Sequence, residues 1–237
     1  DIIGSSPGYY RQRPDTEALA RASQLLSQAD NPVIVIGDRV AQSGGVEQMV
    51  QVAERLGARV YATSFSEVNF PTSHPLYSGV LNTSSPATRR LLSGADVVLA
   101  VGANIFSSFL YVGEPFLDPA TKLVHLDNNS SEVEKVYATE VGVLADPATG
   151  LAELADALDQ DMSALSKEAA VTRSAGLAEA RRRANDDYQR QLRDSWDQRP
   201  MAVGRMMHEL AAAVPENTVV ADESITSQRA MMQSFNF

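Results

Sequence analysis

Ala95-Asp96-Val97-Val98-Leu99-Ala100-Val101-Gly102 is the stretch on which the fold turns. An unbroken apolar run closed by glycine is the composition of a strand covered on both faces, as in a parallel sheet packed between helices. A strand with one wet face would alternate instead. Runs of the same kind stand on either side. Upstream are Val33-Ile34-Val35-Ile36-Gly37 and Arg59-Val60-Tyr61-Ala62; downstream are Lys122-Leu123-Val124-His125-Leu126-Asp127 and Val141-Gly142-Val143-Leu144.

The segments between these runs carry helical spacing. Asp15 caps a helix through Ala18, Leu19, Ala22, Leu25 and Leu26, which Asn31-Pro32 stops. Gly44-Gly45 opens a second helix through Val46, Met49, Val50, Ala53 and Leu56, closed by Gly57. Further helices are expected at Pro86–Leu92, from Ser131, and after a cap at Asp146 with Leu151, Leu154, Ala155 and Leu158. Residues 63–85 read as one long loop containing Phe70-Pro71-Thr72-Ser73-His74-Pro75. Strand alternating with helix predicts an α/β fold: a doubly wound parallel sheet of five to six strands, Rossmann-like, with right-handed crossovers.

The chain divides into four parts. Residues 1–14 form a turn-rich lead-in and residues 15–160 the central domain. Residues 161–199 form a long, mostly solvated linker helix in which acidic neighbours surround Arg181-Arg182-Arg183. Residues 200–237 hold an amphipathic helix, then a buried strand at Val219–Asp222 running into a turn, the expected start of a second, truncated α/β domain.

Composition removes several classes of function. The net charge of −10 over 237 residues, with a pI near 4.8, disfavours nucleic acid and anionic membranes as partners. No apolar run nears the ~20 residues that span a bilayer. With no cysteine there is no disulfide, thiolate nucleophile or cysteine-bound zinc, a pattern that fits a cytoplasmic protein.

The sites legible from spacing are few. Neither Gly37-Asp38-Arg39 nor Gly102-Ala103-Asn104 supplies the Gly-x-Gly-x-x-Gly cradle of a dinucleotide site, and Gly44-Gly45 comes too late. His74, His125 and His208 are too dispersed for a metal site, and His74 fits a structural turn. Phe106-Ser107-Ser108-Phe109-Leu110-Tyr111 lies beyond a strand's carboxyl end, where α/β sheets bind ligands; it suits either an apolar small molecule or packing against another domain. Ser224-Ile225-Thr226-Ser227 fits either an anion site or ordinary helix capping.

Four of these segments, in order, carry a resemblance. Asn31–Gly37, Phe70–Pro75, Asp96–Ala103 and Pro119–Asp127 together resemble the central domain of thiamine-diphosphate-dependent enzymes, within which the benzoylformate decarboxylase branch is nearest. Asp222-Glu223-Ser224 and Asn236 are similar to the opening of the diphosphate-binding domain of that branch.

The resemblance implies a longer parent enzyme using thiamine diphosphate and Mg2+ to decarboxylate a 2-oxo acid, assembled as a homodimer or homotetramer. It implies that this piece, lacking the activating glutamate and the magnesium motif, is inactive alone and binds neither group. It also implies substrate contact at Phe109, where the branch carries a histidine, and diphosphate contact at Ile225 and Thr226, Ile225 replacing a hydroxyl residue. The acetolactate-synthase branch binds flavin through an arginine- and aspartate-rich stretch after the same strand. Here that stretch is Asn104-Ile105-Phe106-Ser107-Ser108, so no FAD is expected. The alternatives are an acetolactate-synthase-type carboligase, or a non-catalytic nucleotide-binding or structural module.

Overall fold

Val33–Ile36 forms strand β1, and all four side chains are fully buried. Alternate residues face opposite sides, so β1 feeds two cores at once: Ile34 and Ile36 one, Val33 and Val35 the other. A computed structural model of the chain describes residues 11–64, 66–106, 113–215, 217–224 and 226–237. Around β1 lie β2 (Arg59–Thr63), β3 (Tyr77–Leu81), β4 (Val97–Val101), β5 (Lys122–Asp127) and β6 (Val141–Leu144). Every pairing is parallel, and the order is β3-β2-β1-β4-β5-β6. The order reverses between β1 and β4, which puts a crevice at their carboxyl ends.

The helices form where their caps predict. Asp15 accepts from the amides of Glu17 and Ala18, both at 3.0 Å, and starts α1 (Thr16–Ser27). After the short α2 (Arg39–Gln42), α3 (Val46–Leu56) ends on Gly57 at φ +57°. Helix α4 spans Ala87–Leu92, and Asp146 caps α5 (Pro147–Asp161) through the Thr149 amide. Helices α1, α3 and α5 cover the larger core, around Leu26, Ile34, Met49, Leu99 and Leu151. The other face is covered by α4 and irregular chain, with Leu92, Phe106, Phe116 and Leu117 packed on Val33, Val98 and Ala100.

The long, mostly solvated helix expected within residues 161–199 is α6 (Ala164–Asp194): 31 residues, of which only Ala170 and Leu192 are buried. It rests on Gly57, where a Cβ would stand 2.2 Å from the Ala170 carbonyl oxygen, so a side chain there is barred by both space and φ. The basic triplet divides. Arg182 and Arg183 pair with Glu179 on the solvated side. Arg181 turns inward and donates to the carbonyl oxygens of Thr72 and Tyr77. Helices α7 (Val203–Ala213) and α8 (Gln228–Ser234) follow. No helix among the described residues is long and apolar enough to cross a membrane.

Three expectations fail. The supposed loop 63–85 contains β3. This edge strand is only half buried and carries Gly79 at φ +106°, so neither an apolar run nor clean alternation marks it. The helix from Ser131 is absent: residues 130–134 are turns, entered through side-chain bonds in which the Asn129 amide donates to Asp127 Oδ1 and the Ser131 amide to Asn129 Oδ1. Val219–Asp222 is not a strand, and Val219 is 93% exposed. A strand needs a neighbour for its amides and carbonyls, and none among the described residues pairs with this segment.

Candidate functional site

The crevice at the switch between β1 and β4 is the position where a sheet of this order holds a ligand. Its two walls are unusually close. A Cβ on Gly37 would lie 2.5 Å from the Gly102 carbonyl oxygen and 2.6 Å from the Ala103 Cα. The Gly37 amide donates to the Val101 oxygen at 3.0 Å, and the Arg39 amide to the Gly102 oxygen at 3.3 Å. Glycine at 37 therefore lets two backbones meet rather than admitting a pyrophosphate. The Gly44-Gly45 pair is not at the crevice floor either; a Cβ at Gly45 would meet the backbone of Ala148, on α5.

What remains is a cavity of about 250 Å3 whose polar lining includes Asp38, Thr63, Ser64 and Asn104. Arg39 lies across it. Its Nε and Nη2 donate to Asp127 Oδ1 and Oδ2, both at 2.7 Å, and Nη2 also reaches Asn104 Oδ1 at 2.9 Å. Asp127 closes β5 and is completely buried. Burial pushes its carboxyl up, but contacts with His125, Arg39 and the Asn129 amide outweigh that and hold it below the usual range. The His125 Nε2 stands 3.4 Å from Oδ2, long for a hydrogen bond, and neither ring nitrogen has a hydrogen-bond partner. Among the described residues, the one cation lining the crevice, Arg39, is thus already matched to a carboxylate.

The residues predicted from sequence are not gathered at this place. Phe109 and Ile225 lie outside the described residues. Phe106, the first aromatic of the candidate ligand loop, belongs to the core: it packs on Phe116 and Tyr137 at 5.3 and 5.4 Å between centroids. Thr226 is exposed, just before the short α8. The nearby Ser224 amide already donates to Asp222 Oδ1 at 2.8 Å. Asp222 and Glu223 put negative charge where a diphosphate would need positive, and no group of three His, Cys, Asp or Glu that would hold a metal occurs among the described residues. The described residues of this chain therefore do not by themselves fit thiamine diphosphate.

His74 is structural, as its spacing predicts. Its Nδ1 accepts from the Leu76 amide at 3.2 Å, Nε2 faces Glu54 at 3.3 Å, and the ring meets Phe70 edge-on. Sequence reasoning missed the Arg39–Asp127 pair. Its signal was an arginine just past one apolar strand and an aspartate ending another, but nothing local says the two meet.

A doubly wound parallel sheet with a closed, braced switch point defines a Rossmann-like α/β domain. The profile of the thiamine pyrophosphate enzyme central domain matches residues 19–154. The chain belongs to that family. It is 33% identical over 228 residues to the sulfoacetaldehyde acetyltransferase of Rhodobacter capsulatus, covering 90% of this chain and 38% of that protein. It is 32% identical over 123 residues to the benzoylformate decarboxylase of Pseudomonas aeruginosa, covering 52% of this chain and 23% of that protein. The crystal structure of benzoylformate decarboxylase from Polynucleobacter necessarius has the same fold, with a TM-score of 0.73 at 19% identity, over 99% of this chain and 41% of that one. The chain spans about two fifths or less of the proteins it matches.

Proposed function

We propose that this chain is the central domain of a thiamine-diphosphate-dependent, non-oxidative 2-oxo acid decarboxylase, a longer protein holding thiamine diphosphate and Mg2+ and assembled as a homodimer or homotetramer. The domain's own part is to carry and place the segment after β4. The observation that most supports this is the anchoring of that segment: Ile105 and Phe106 enter the core beside Phe116 and Tyr137, and the Tyr137 hydroxyl accepts from the Phe116 amide at 2.9 Å. Both ends of the stretch carrying Phe109 are thus tied to one aromatic cluster at the strand ends. A second observation is that Arg39 is engaged by Asp127 and Asn104, so among the described residues the crevice offers no free cation to a flavin pyrophosphate.

A second reading is an acetyltransferase acting on sulfoacetaldehyde. The match to the Rhodobacter capsulatus protein favours it, because that similarity runs through the linker helix and beyond it, over 90% of the chain.

The experiment is to express the complete reading frame that contains this chain, add thiamine diphosphate and magnesium, and compare two assays. Carbon dioxide release from phenylglyoxylate and other 2-oxo acids supports the decarboxylase. Release of sulfite from sulfoacetaldehyde, with the acetyl group passed to inorganic phosphate added to the assay and with no carbon dioxide release, replaces it with the second reading.

A further inference from the structure

At the opposite end of the sheet from the crevice, a groove of about 390 Å3 runs between α6 and the amino ends of β1 and β2. Its apolar walls are Pro32, Gly57, Gly176 and Leu177; its polar groups are Asn31, Arg59 and Arg173. We propose that this groove is a binding site for a small organic carboxylate with an apolar body, its carboxylate held by Arg59 and Arg173.

Two observations meet here. The first is charge. In a chain of net charge −10, two guanidinium groups line one groove, and neither is in an ion pair among the described residues. Arg59 Nη2 donates to Asn31 Oδ1 at 3.0 Å. Arg173 donates to the carbonyl oxygens of Asp30 and Leu56, at 3.3 and 2.6 Å, while its buried Nε has no partner. The carboxylates that act on Arg173 are Asp96 and Asp30. Asp96 is already satisfied by the amides of Asp30, Asn31 and Val97. Neutral acceptors hold the two forks in place, and no carboxylate among the described residues stands within ion-pair distance of either, an arrangement that a bound carboxylate completes.

The second observation is Gly176. It sits in the interior of a 31-residue helix, where glycine costs about 1 kcal/mol relative to alanine. Nothing among the described residues requires it: its backbone is helical, and a Cβ there would meet no described atom within 4 Å. Gly57, across the groove, is needed by its φ and by Ala170; Gly176 is not. The open space beside Gly176 lets an occupant of the groove lie directly against its Cα. The groove volume is that of a small-molecule site. The two planar forks match a carboxylate or a phosphate alike, and the mainly apolar walls favour a monocarboxylate with an apolar body over inorganic phosphate.

The test titrates benzoate, benzamide and inorganic phosphate into the 237-residue chain while amide resonances are followed. Benzoate is expected to bind saturably and to shift the amides of Gly57 and Gly176; benzamide and phosphate bind more weakly. Gly176→Leu, which fills the groove and leaves both arginines, should weaken benzoate about tenfold or more without lowering the unfolding temperature, as should Arg59→Gln. The proposal is overturned if benzoate shifts Gly37 and Gly102 instead, if benzamide or phosphate binds as tightly, or if Gly176→Leu binds as the parent does.

Discussion

Arg39 and Asp127 form a two-point ion pair across the end of the sheet, Nε to Oδ1 and Nη2 to Oδ2, each at 2.7 Å. The aspartate is fully buried and the arginine side chain 19% exposed, so the pair has left water on one side and touches it on the other. Removing one member of such a pair leaves a buried charge without a partner, which costs more than the intact pair contributes. Arg39→Ala is expected to lower the unfolding free energy by about 3–5 kcal/mol, and Arg39→Met with Asp127→Leu by less than the single change. Urea denaturation of the three proteins measures this. A single-variant cost near that of a surface pair would mean that other groups satisfy Asp127.

The same pair sets an acid limb. The Asp127 carboxyl is held below its ordinary value in the folded state. A depressed carboxyl contributes stability that is fully present above its unfolded pKa of about 3.9 and is lost as pH falls through the folded value. Stability should therefore decline below about pH 4, and Asp127→Asn should flatten that decline while lowering stability at neutral pH. Denaturation midpoints across the acid range test the sign.

Arg181 is expected to matter where its two neighbours do not. Its guanidinium holds the carbonyl oxygens of Thr72 and Tyr77, and Thr72 in turn exchanges hydrogen bonds with Phe237: its amide to the Phe237 oxygen and the Phe237 amide to its Oγ1, both at 2.9 Å. Arg181→Ala should cost about 1.5 kcal/mol and speed amide exchange across Pro71–Tyr77 and at Phe237 about tenfold. Arg182→Ala, which loses only an exposed contact with Glu179, should stay within about 0.5 kcal/mol. Equal exchange in the two variants would remove the clasp.

The chain by itself is expected to bind neither thiamine diphosphate with magnesium nor flavin. Thr226 is exposed beside Asp222 and Glu223, and Arg39 is already matched. Calorimetric titration should give no saturable heat, and the purified protein no flavin absorbance. Micromolar binding of either cofactor would sink the prediction.

In the longer protein, Phe109→Ala should lower kcat/KM for a bulky 2-oxo acid relative to pyruvate by about 1–3 kcal/mol, the usual worth of an apolar contact at a substrate. An unchanged ratio would place Phe109 in packing, like Phe106, and not at the substrate.

Much of this fold was legible before the structure, because the signals were local. Val33–Ile36, Val97–Val101 and Lys122–Asp127 read as strands from their own apolar runs, and Asp15, Asp146 and Gly57 mark helix ends by chemistry that acts within four residues. Tyr77–Leu81 was hidden, because an edge strand is defined by its pairing with β2 and not by its own pattern. Val219–Asp222 shows the converse: strand-like residues remain unpaired where no sheet edge among the described residues receives them. The site followed the same division. The glycines, hydroxyls and charges near the strand ends were visible one by one. That Arg39 reaches Asp127, 88 residues on, was decided only when β1, β4 and β5 became neighbours, since an ion pair depends on distance in space and the sheet order alone supplies it.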